Sequence, residues 1–516
     1  MVAVGLISKG VRQMAASLTH QAYKVNQLQQ HEADAAQALG MNLFQLMQRA
    51  GARVFAQLQR HFPLANNILV VCGKGNNGGD GYIIADLAQQ AGMKVTVLVL
   101  AEREAIRGDA KQALSLLEHS AVNIDFCPSA QSIIEQLNAF HGDLIVDCIF
   151  GIGFNGPLSP ALVQLFTKIN NQPCAKLSVD VPSGLNADLG TVSAKAIKAD
   201  LTVTLIAYKQ GLLTGQAAHY VGNLQLETLG IHQAFSQLCA THCFRQHGQN
   251  IPQLEARPAN YHKGHIGMLL AIGGYHAYAG AICLSAEAAL RSGASLVSVC
   301  CHEKSRTPLL IRRPELMVAA TSAQTLGRSS VIEQAKVLIV GPGLAQTAWS
   351  QALFKLAMAC PQPKVVDADA LNLLAAQPQK SANWILTPHP GEAARLLSCA
   401  ISDIEADRFA AVQKIAQKYG GICVLKGAGT LISDGHTVWI NTSGNPGMAS
   451  GGMGDVLTGI IGALLLQMSD LFTAARLGVY IHGRAADIIA KNTGEIGLLA
   501  SDLYSEIQRL INGQCY

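Results

Sequence analysis

The sequence predicts an α/β protein of two domains, each built on a parallel, doubly wound sheet. Three observations carry this. A chain of 516 residues is too long for one ordinary core, since domains seldom exceed about 250 residues. Short apolar runs alternate with helix-length segments in two separate series. The composition, 49% hydrophobic and 14% charged with 49 glycines, is that of a well-buried fold with many tight strand-to-helix turns.

The first series of strands is expected at Ile68–Cys72, Lys94–Leu100, Val122–Phe126, Leu144–Cys148, Leu177–Val181 and Leu201–Ile206. Each run is short and apolar and ends in a turn rich in Gly or Asp. Gln27–Leu58, ahead of it, carries helical apolar spacing and should pack on the sheet. Between Gly230 and Pro258 the alternation lapses into a polar stretch rich in Gln and His. A second series then runs through Met268–Ile272, Ser295–Cys300, Val337–Val340, Lys364–Asp367, Ile385–Thr387 and Ile422–Leu425, and the part after Ser450 reads as helical. The expected organisation is an N-terminal extension at 1–20, a first domain at 21–235, a linker at 236–258 and a second domain at 259–516.

A formal charge of +4 without a basic run interleaved with aromatics argues against nucleic acid as a partner. The 13 cysteines are scattered without CxxC pairs and lie mostly in apolar runs, as buried thiols of a reducing compartment do. Ile266–Ala286 has no full charge but holds Gly273, Gly274, His276 and Gly280, so strand, turn and helix fit it better than a membrane span. No signal-peptide pattern is apparent, and a cytoplasmic location is expected.

In the first domain GKGNNGGDG follows the first strand, with Gly73, Gly75 and Gly78 at GxGxxG spacing and a helix expected from about Gly81. Asp80 weakens a plain dinucleotide-pyrophosphate reading, because a carboxylate there repels phosphate. Two further strand ends, DCIFGIGFNGP (Asp147 to Pro157) and SVDVPSGLNAD (Ser178 to Asp188), also combine Gly with an acid. Parallel strand ends share a crevice, so Asn77, Asp147, Asp180 and Ser183 can converge. Asp147, Ser183 and an Asn carbonyl form an oxygen set suited to a hard cation, leaving Asp180 for proton transfer. Taken singly, each Asp is more often a turn or cap residue.

These three motifs, in this order, resemble the NAD(P)HX epimerase family, the YjeF N-terminal domain with its Rossmann-like fold, over about residues 20 to 230. The resemblance implies a potassium ion at Asn77, Asp147 and Ser183. It also implies substrate contacts from Asn76, Asn77, Gly78, Gly79 and Asp80, from Gly151, Ile152, Gly153, Phe154, Asn155, Gly156 and Pro157, and from Asp180 as the catalytic group. Phe154 stands where Leu is commoner in the family.

In the second domain GPG at Gly341–Gly343 and TPHPGE at Thr387–Glu392 each follow a strand, with His389 fixed between two prolines. VLKGAGT and then SGGMGDVLTGIIGALL follow. Gly451, Gly452 and Gly454 let backbone N–H groups converge at the start of an apolar helix, a phosphate site, and Asp455 is placed to take a proton from an attacking hydroxyl. No GxxxxGK[ST] is present, which excludes a P-loop. GGxGD after KGxxT resembles the ribokinase-like superfamily. The fuller set, with YHKGHIGMLLAIGG, YAGA, ALRSGA, GPGL and TPHPGE, is similar to its ADP- or ATP-dependent NAD(P)HX dehydratase branch over about residues 250 to 512.

That branch implies nucleotide contacts from Lys426, Gly427, Ala428, Gly429, Thr430 and Gly454, with Mg²⁺ accompanying ADP or ATP. Ala281, Gly343, His389 and Asp455 would face the hydrated nicotinamide, Asp455 as base. Met453 replaces the family's usual Thr, and the loss of a hydroxyl near the phosphates is expected to lower the rate. Together the resemblances imply repair of hydrated NADH and NADPH: the R and S epimers are interconverted, and the S form is dehydrated through a phosphorylated intermediate with ADP as the expected donor. The expected partners are NADHX, NADPHX and ADP or ATP, in a homo-oligomer. The alternative from residues alone is a kinase of a small hydroxylated metabolite, preceded by a non-catalytic binding module.

Overall fold

The computed structural model describes residues 20–154, 156–248 and 250–514. The chain divides into two compact units between Phe244 and Arg245.

The first unit contains a seven-stranded sheet in the order Asn123–Phe126, Lys94–Val99, Asn67–Cys72, Leu144–Cys148, Ala175–Val179, Leu201–Leu205, Asn223–Glu227. Every pairing in it is parallel. Strand order reverses between Asn67–Cys72 and Leu144–Cys148, so the two segments that leave their carboxyl ends diverge and open a crevice there. The central strands are buried on both faces, which is why they read as unbroken apolar runs rather than as alternation. Gln27–Leu58 resolves into two helices, Val25–Gln37 and Leu43–His61, with Asn42 capping the second through Gln45. Gln21–Tyr23 pairs antiparallel with Cys243 and Phe244, and parallel with Tyr208–Lys209, in a register that sets Tyr23 opposite Lys209.

The second unit's strands run in the order Met317–Ala320, Leu296–Cys300, Met268–Ile272, Ala335–Val340, Lys364–Val366, Trp384–Leu386, Ile422–Leu425, Thr430–Ser433, Val438–Asn441. They are parallel up to Ile422–Leu425, and the last two are antiparallel. Order reverses between Met268–Ile272 and Ala335–Val340, which opens the second crevice beside Gly273 and Gly341. After Ser450 come three helices, Met453–Gln467, Leu471–Thr493 and Leu503–Ile511, and the first of these is buried along nearly its whole length.

Three expectations change. The helix expected from Gly81 begins at Asn76, with Gly75 as its cap. Its glycines serve close packing: a Cβ on Gly78 would stand 2.1 Å from the Gly73 carbonyl oxygen, and one on Gly81 would stand 2.7 Å from Cys72 Sγ. Secondly, the stretch at 236–258 is not featureless, for it holds the end of helix His232–Leu238 and strand Cys243–Gln246. Its polarity misleads because Gln246 is buried with its amide satisfied, donating to the Arg476 carbonyl at 2.6 Å and accepting from Arg476 Nε at 3.0 Å. Thirdly, Met453 turns its side chain into the apolar core. Among the described residues no helix is long and apolar enough to cross a membrane.

Candidate active sites

In the first crevice Gly73 lets two strand ends meet, since any Cβ there would lie 2.0 Å from the Ile149 carbonyl oxygen. This brings Asn77, in the first turn of its helix, against the loop that follows Leu144–Cys148. Asn77 Nδ2 donates to the Phe150 carbonyl at 2.9 Å, while its buried Oδ1 has no partner. Ser183 Oγ donates to Asp147 Oδ1 at 2.6 Å and accepts from the Phe150 N–H at 2.9 Å. Asp147 Oδ2 accepts from Ser178 Oγ at 2.8 Å and from the Ser183 N–H at 2.9 Å. Asp147 is fully enclosed, and burial raises its pKa against the opposing pull of those donors. The expected trio is thus one connected cluster of oxygens with an orphaned amide carbonyl at its edge.

Asp180, like Asn77, lines a cavity of about 560 Å³. It has φ +66°, and the Val181 N–H donates to the Val179 carbonyl at 2.8 Å around it. Ile206 repeats the arrangement with φ +68° and a 2.7 Å bond from the Ala207 N–H to the Leu205 carbonyl. Two adjacent γ-turns of the rare positive-φ kind, one centred on a β-branched residue, are strained backbone. They re-aim the strand ends so that the Asp180 carboxylate meets the buried ammonium of Lys209 in an ion pair. Lys209 also donates to the Leu205 carbonyl at 2.8 Å, and the Leu205 N–H donates to Asp180 Oδ1 at 3.0 Å. Asp80 and Glu32 line the same cavity. Burial pushes the Asp80 carboxyl well up, with the Asp180 and Glu32 charges adding to the effect; Glu32 is raised by burial and by Asp180.

Sequence reasoning missed Lys209 and Glu32. Lys209 had a signal, a single cation at the end of the apolar run LTVTLIAY, and a lysine so placed needs a buried partner. Glu32 had none, lying in an ordinary amphipathic helix. Gly151, Ile152, Gly153 and Phe154 line the cavity, and the Phe154 ring stacks on Phe150 at 4.7 Å. Gly156 adopts φ +108°. Asn155 lies outside the described residues, as does all of the N-terminal extension but His20.

In the second crevice Gly343, at φ +59°, abuts Ala281, for a Cβ on it would lie 3.2 Å from that of Ala281. Gly452 caps the buried helix with φ +90°, a left-handed entry that glycine adopts freely, and Asp455 follows in the first turn. Gly454 faces Lys426, whose Nζ would lie 3.2 Å from any Cβ there. The Lys426 ammonium, expected among the nucleotide contacts, pairs with Asp367 at 2.9 Å and lies 3.8 Å from Glu392. Asp367 also accepts from Thr458 Oγ1 at 2.8 Å. Burial and the neighbouring Asp367 lift the Asp455 pKa to about 7, opposed by Lys426. Glu392 is raised as well, by burial first.

His389 caps helix Pro390–Leu397, its Nδ1 accepting from the Gly391 N–H at 3.0 Å and its backbone N–H donating to Glu392 at 2.8 Å. Burial and the Lys426 charge lower its pKa. Gly427 reaches φ +140° under the guanidinium of Arg408, which donates to the Lys426 carbonyl at 3.2 Å, and Thr430 Oγ1 closes the turn on the Gly427 carbonyl at 2.9 Å. Ala428 and Gly429 complete that turn. Three groups here escaped sequence reasoning: Asp367, which only looked like a strand end; Ser450, whose Oγ is enclosed and unpartnered beside the Gly-Gly turn; and His482, buried with Nε2 unpartnered and its pKa depressed to about 4.

Residues 43–211 match the family model for the YjeF-related protein N-terminus, and residues 269–509 match that for NAD(P)H-hydrate dehydratase. The chain is 41% identical over 95% of its length to the bifunctional NAD(P)H-hydrate repair enzyme Nnr of Coxiella burnetii, covering 99% of that protein. It is 44% identical over 95% of its length to the enzyme of the same name from Vibrio cholerae, covering 98% of it. Among solved structures, an ADP/ATP-dependent NAD(P)H-hydrate dehydratase from Bacillus subtilis co-crystallized with ATP/Mg²⁺ matches 52% of this chain and 100% of its own, at 27% identity and a TM-score of 0.47. A kinase preceded by a mere binding module does not account for full-length likeness to proteins that join both domains: the chain belongs to the family of bifunctional NAD(P)H-hydrate repair enzymes.

Proposed function

We propose that the chain restores hydrated NADH and NADPH by two reactions, epimerisation in the first unit and nucleotide-dependent dehydration in the second. The observation that carries the reading is that each unit sets a carboxylate in the field of a lysine at the carboxyl ends of its parallel strands: Asp180 in an ion pair with Lys209, and Asp455 near Lys426.

In the first unit Asp180 moves the substrate proton and Lys209 holds its charge in place during the exchange. Asp80, its carboxyl pushed up by burial, lines the same cavity and in its protonated form can donate to the substrate. The orphaned Asn77 Oδ1 beside Asp147 and Ser183 fits a potassium ion, and a cation there would supply fixed positive charge against the Phe150 carbonyl at the start of the neighbouring loop.

In the second unit ADP or ATP binds with its phosphates towards Gly451–Gly454 and the turn at Lys426–Thr430, where the helix start and the unpartnered Ser450 hydroxyl favour an anion. Asp455 takes the proton of the substrate hydroxyl as its oxygen bonds to phosphorus and the nucleotide leaves. The ring then loses a proton and expels phosphate, which regenerates the dihydronicotinamide; with ADP the other product is AMP. Mg²⁺ arriving with the nucleotide would screen the phosphates. ADP is the donor we favour, on the resemblance to the two-domain bacterial arrangement.

The test is to give the enzyme both NADHX epimers with Mg²⁺ and ADP or ATP and to follow dihydronicotinamide absorbance. Complete conversion is expected. A stop after one epimer removes the epimerase assignment, and no nucleotide-dependent recovery removes the dehydratase assignment.

A further inference from the structure

Four rings gather beside the second crevice and take no part in the chemistry above. Tyr275 and His276 follow strand Met268–Ile272, His302 follows Leu296–Cys300, and Trp349 lies in the first turn of helix Ala348–Met358. Tyr275 is 5.1 Å from His302 and 5.5 Å from Trp349 between ring centroids; His302 is 5.9 Å from Trp349 and 5.8 Å from His276. None of the four is buried, and His276 is exposed, so the group is not a piece of core. It is nevertheless held firmly. The Trp349 indole N–H donates to the Thr321 carbonyl at 2.8 Å, the His302 N–H donates to the Gly274 carbonyl at 3.2 Å, and the Tyr275 N–H donates to the Gly343 carbonyl at 2.6 Å. The last bond joins the rings directly to the glycine that abuts Ala281.

The sheet order gives the rings a direction. Gly343 lies in the turn after strand Ala335–Val340, and the turn at Lys426–Thr430 follows the strand three places further along, about 14 Å away at ordinary strand spacing. A hydrated ring at Gly343 and Ala281 therefore has the phosphoryl donor on one side. The opposite side, across the ends of Met268–Ile272 and Leu296–Cys300 where the four rings stand, is then open to the other half of the dinucleotide. Stacking on aromatic faces is the usual way to hold a purine in a site open to water. On the helix that His302 caps, exposed Lys304 and Arg306 outweigh the exposed Glu303 beside them and leave a positive charge at that end.

We propose that Tyr275, His276, His302 and Trp349 form the platform on which the adenine of the hydrated dinucleotide stacks, a second binding point remote from the reacting ring. This rests on the dehydratase reading above. The experiment compares NADHX with hydrated dihydronicotinamide mononucleotide, which lacks the adenosine half, in wild type, Trp349→Ala, Tyr275→Leu and Trp349→Phe. Wild-type recovery of NADH with ADP or ATP is measured first, and its failure would sink the dehydratase reading together with this one. Given recovery, Trp349→Ala and Tyr275→Leu should raise KM for NADHX about tenfold, and KM for the mononucleotide and for the phosphoryl donor should move by less than about twofold. Trp349→Phe, which keeps a ring, should restore most of the loss. An unchanged KM for NADHX, or an equal rise for both substrates, would overturn the platform; melting temperatures identify a variant that has merely unfolded.

Discussion

Asp455 is the residue at which local chemistry and fold are most tightly joined. Burial and Asp367 raise its pKa to about 7, and the Lys426 charge pulls the other way. A base must be deprotonated, so dehydration should weaken as pH falls through about 7. Lys426→Met removes the charge that favours the carboxylate and should shift that acid limb to higher pH, which a profile of kcat/KM will read. Asp455→Asn should cost dehydration a factor of about 10² to 10⁴ and leave epimer exchange running, measured by the return of absorbance and by resolving the epimers. Asp455 was legible because GGMGD has few uses outside anion chemistry. Asp367 and Lys209 were not, since one acid at a strand end and one lysine in an apolar run say nothing of their partners; Asp367 meets Lys426 from 59 positions away.

At the scale of the element, helix Asn76–Gln90 shows how packing overrides a local reading. Glycine-rich sequence lowers helix propensity and suggested a loop up to Gly81, yet the helix starts five residues earlier because its backbone lies against two strand ends. Gly78→Ala would press a methyl onto the Gly73 carbonyl and should cost about 1–3 kcal/mol of stability, read as a lower Tm, with epimerase activity falling first. Ser183→Ala tests the neighbouring element. It strips the enclosed Asp147 of one hydroxyl donor, which should cost about 1–3 kcal/mol in denaturant unfolding. Any stimulation of epimerisation by potassium should disappear with it.

Across the whole molecule the two sets of candidate residues fall in separate units: Asn77, Asp147, Asp180 and Lys209 on one side of the Phe244–Arg245 division, Asp367, Lys426 and Asp455 on the other. Asp180→Asn and Asp455→Asn enzymes, mixed in equal amounts, should therefore convert both NADHX epimers fully. The first alone should stall at one epimer, and the second alone should restore nothing. Failure of the mixture would mean that the substrate does not pass through free solution between the two reactions.

The apolar strands of the two series, their alternation with helices, the two-domain plan and the glycine-acid turns were determined by the sequence itself, because apolar period and turn chemistry act over a few residues; the strands at Asn223–Glu227, Met317–Ala320, Thr430–Ser433 and Val438–Asn441 were not among those it predicted. The strand order, the two crevices at the points of reversal, the γ-turns that swing Asp180 onto Lys209 and the burial that lifts the Asp455 pKa to about 7 were decided only by tertiary structure. Each depends on segments far apart in the chain meeting in one low-dielectric place, and no local pattern encodes the field that a group feels once it is enclosed.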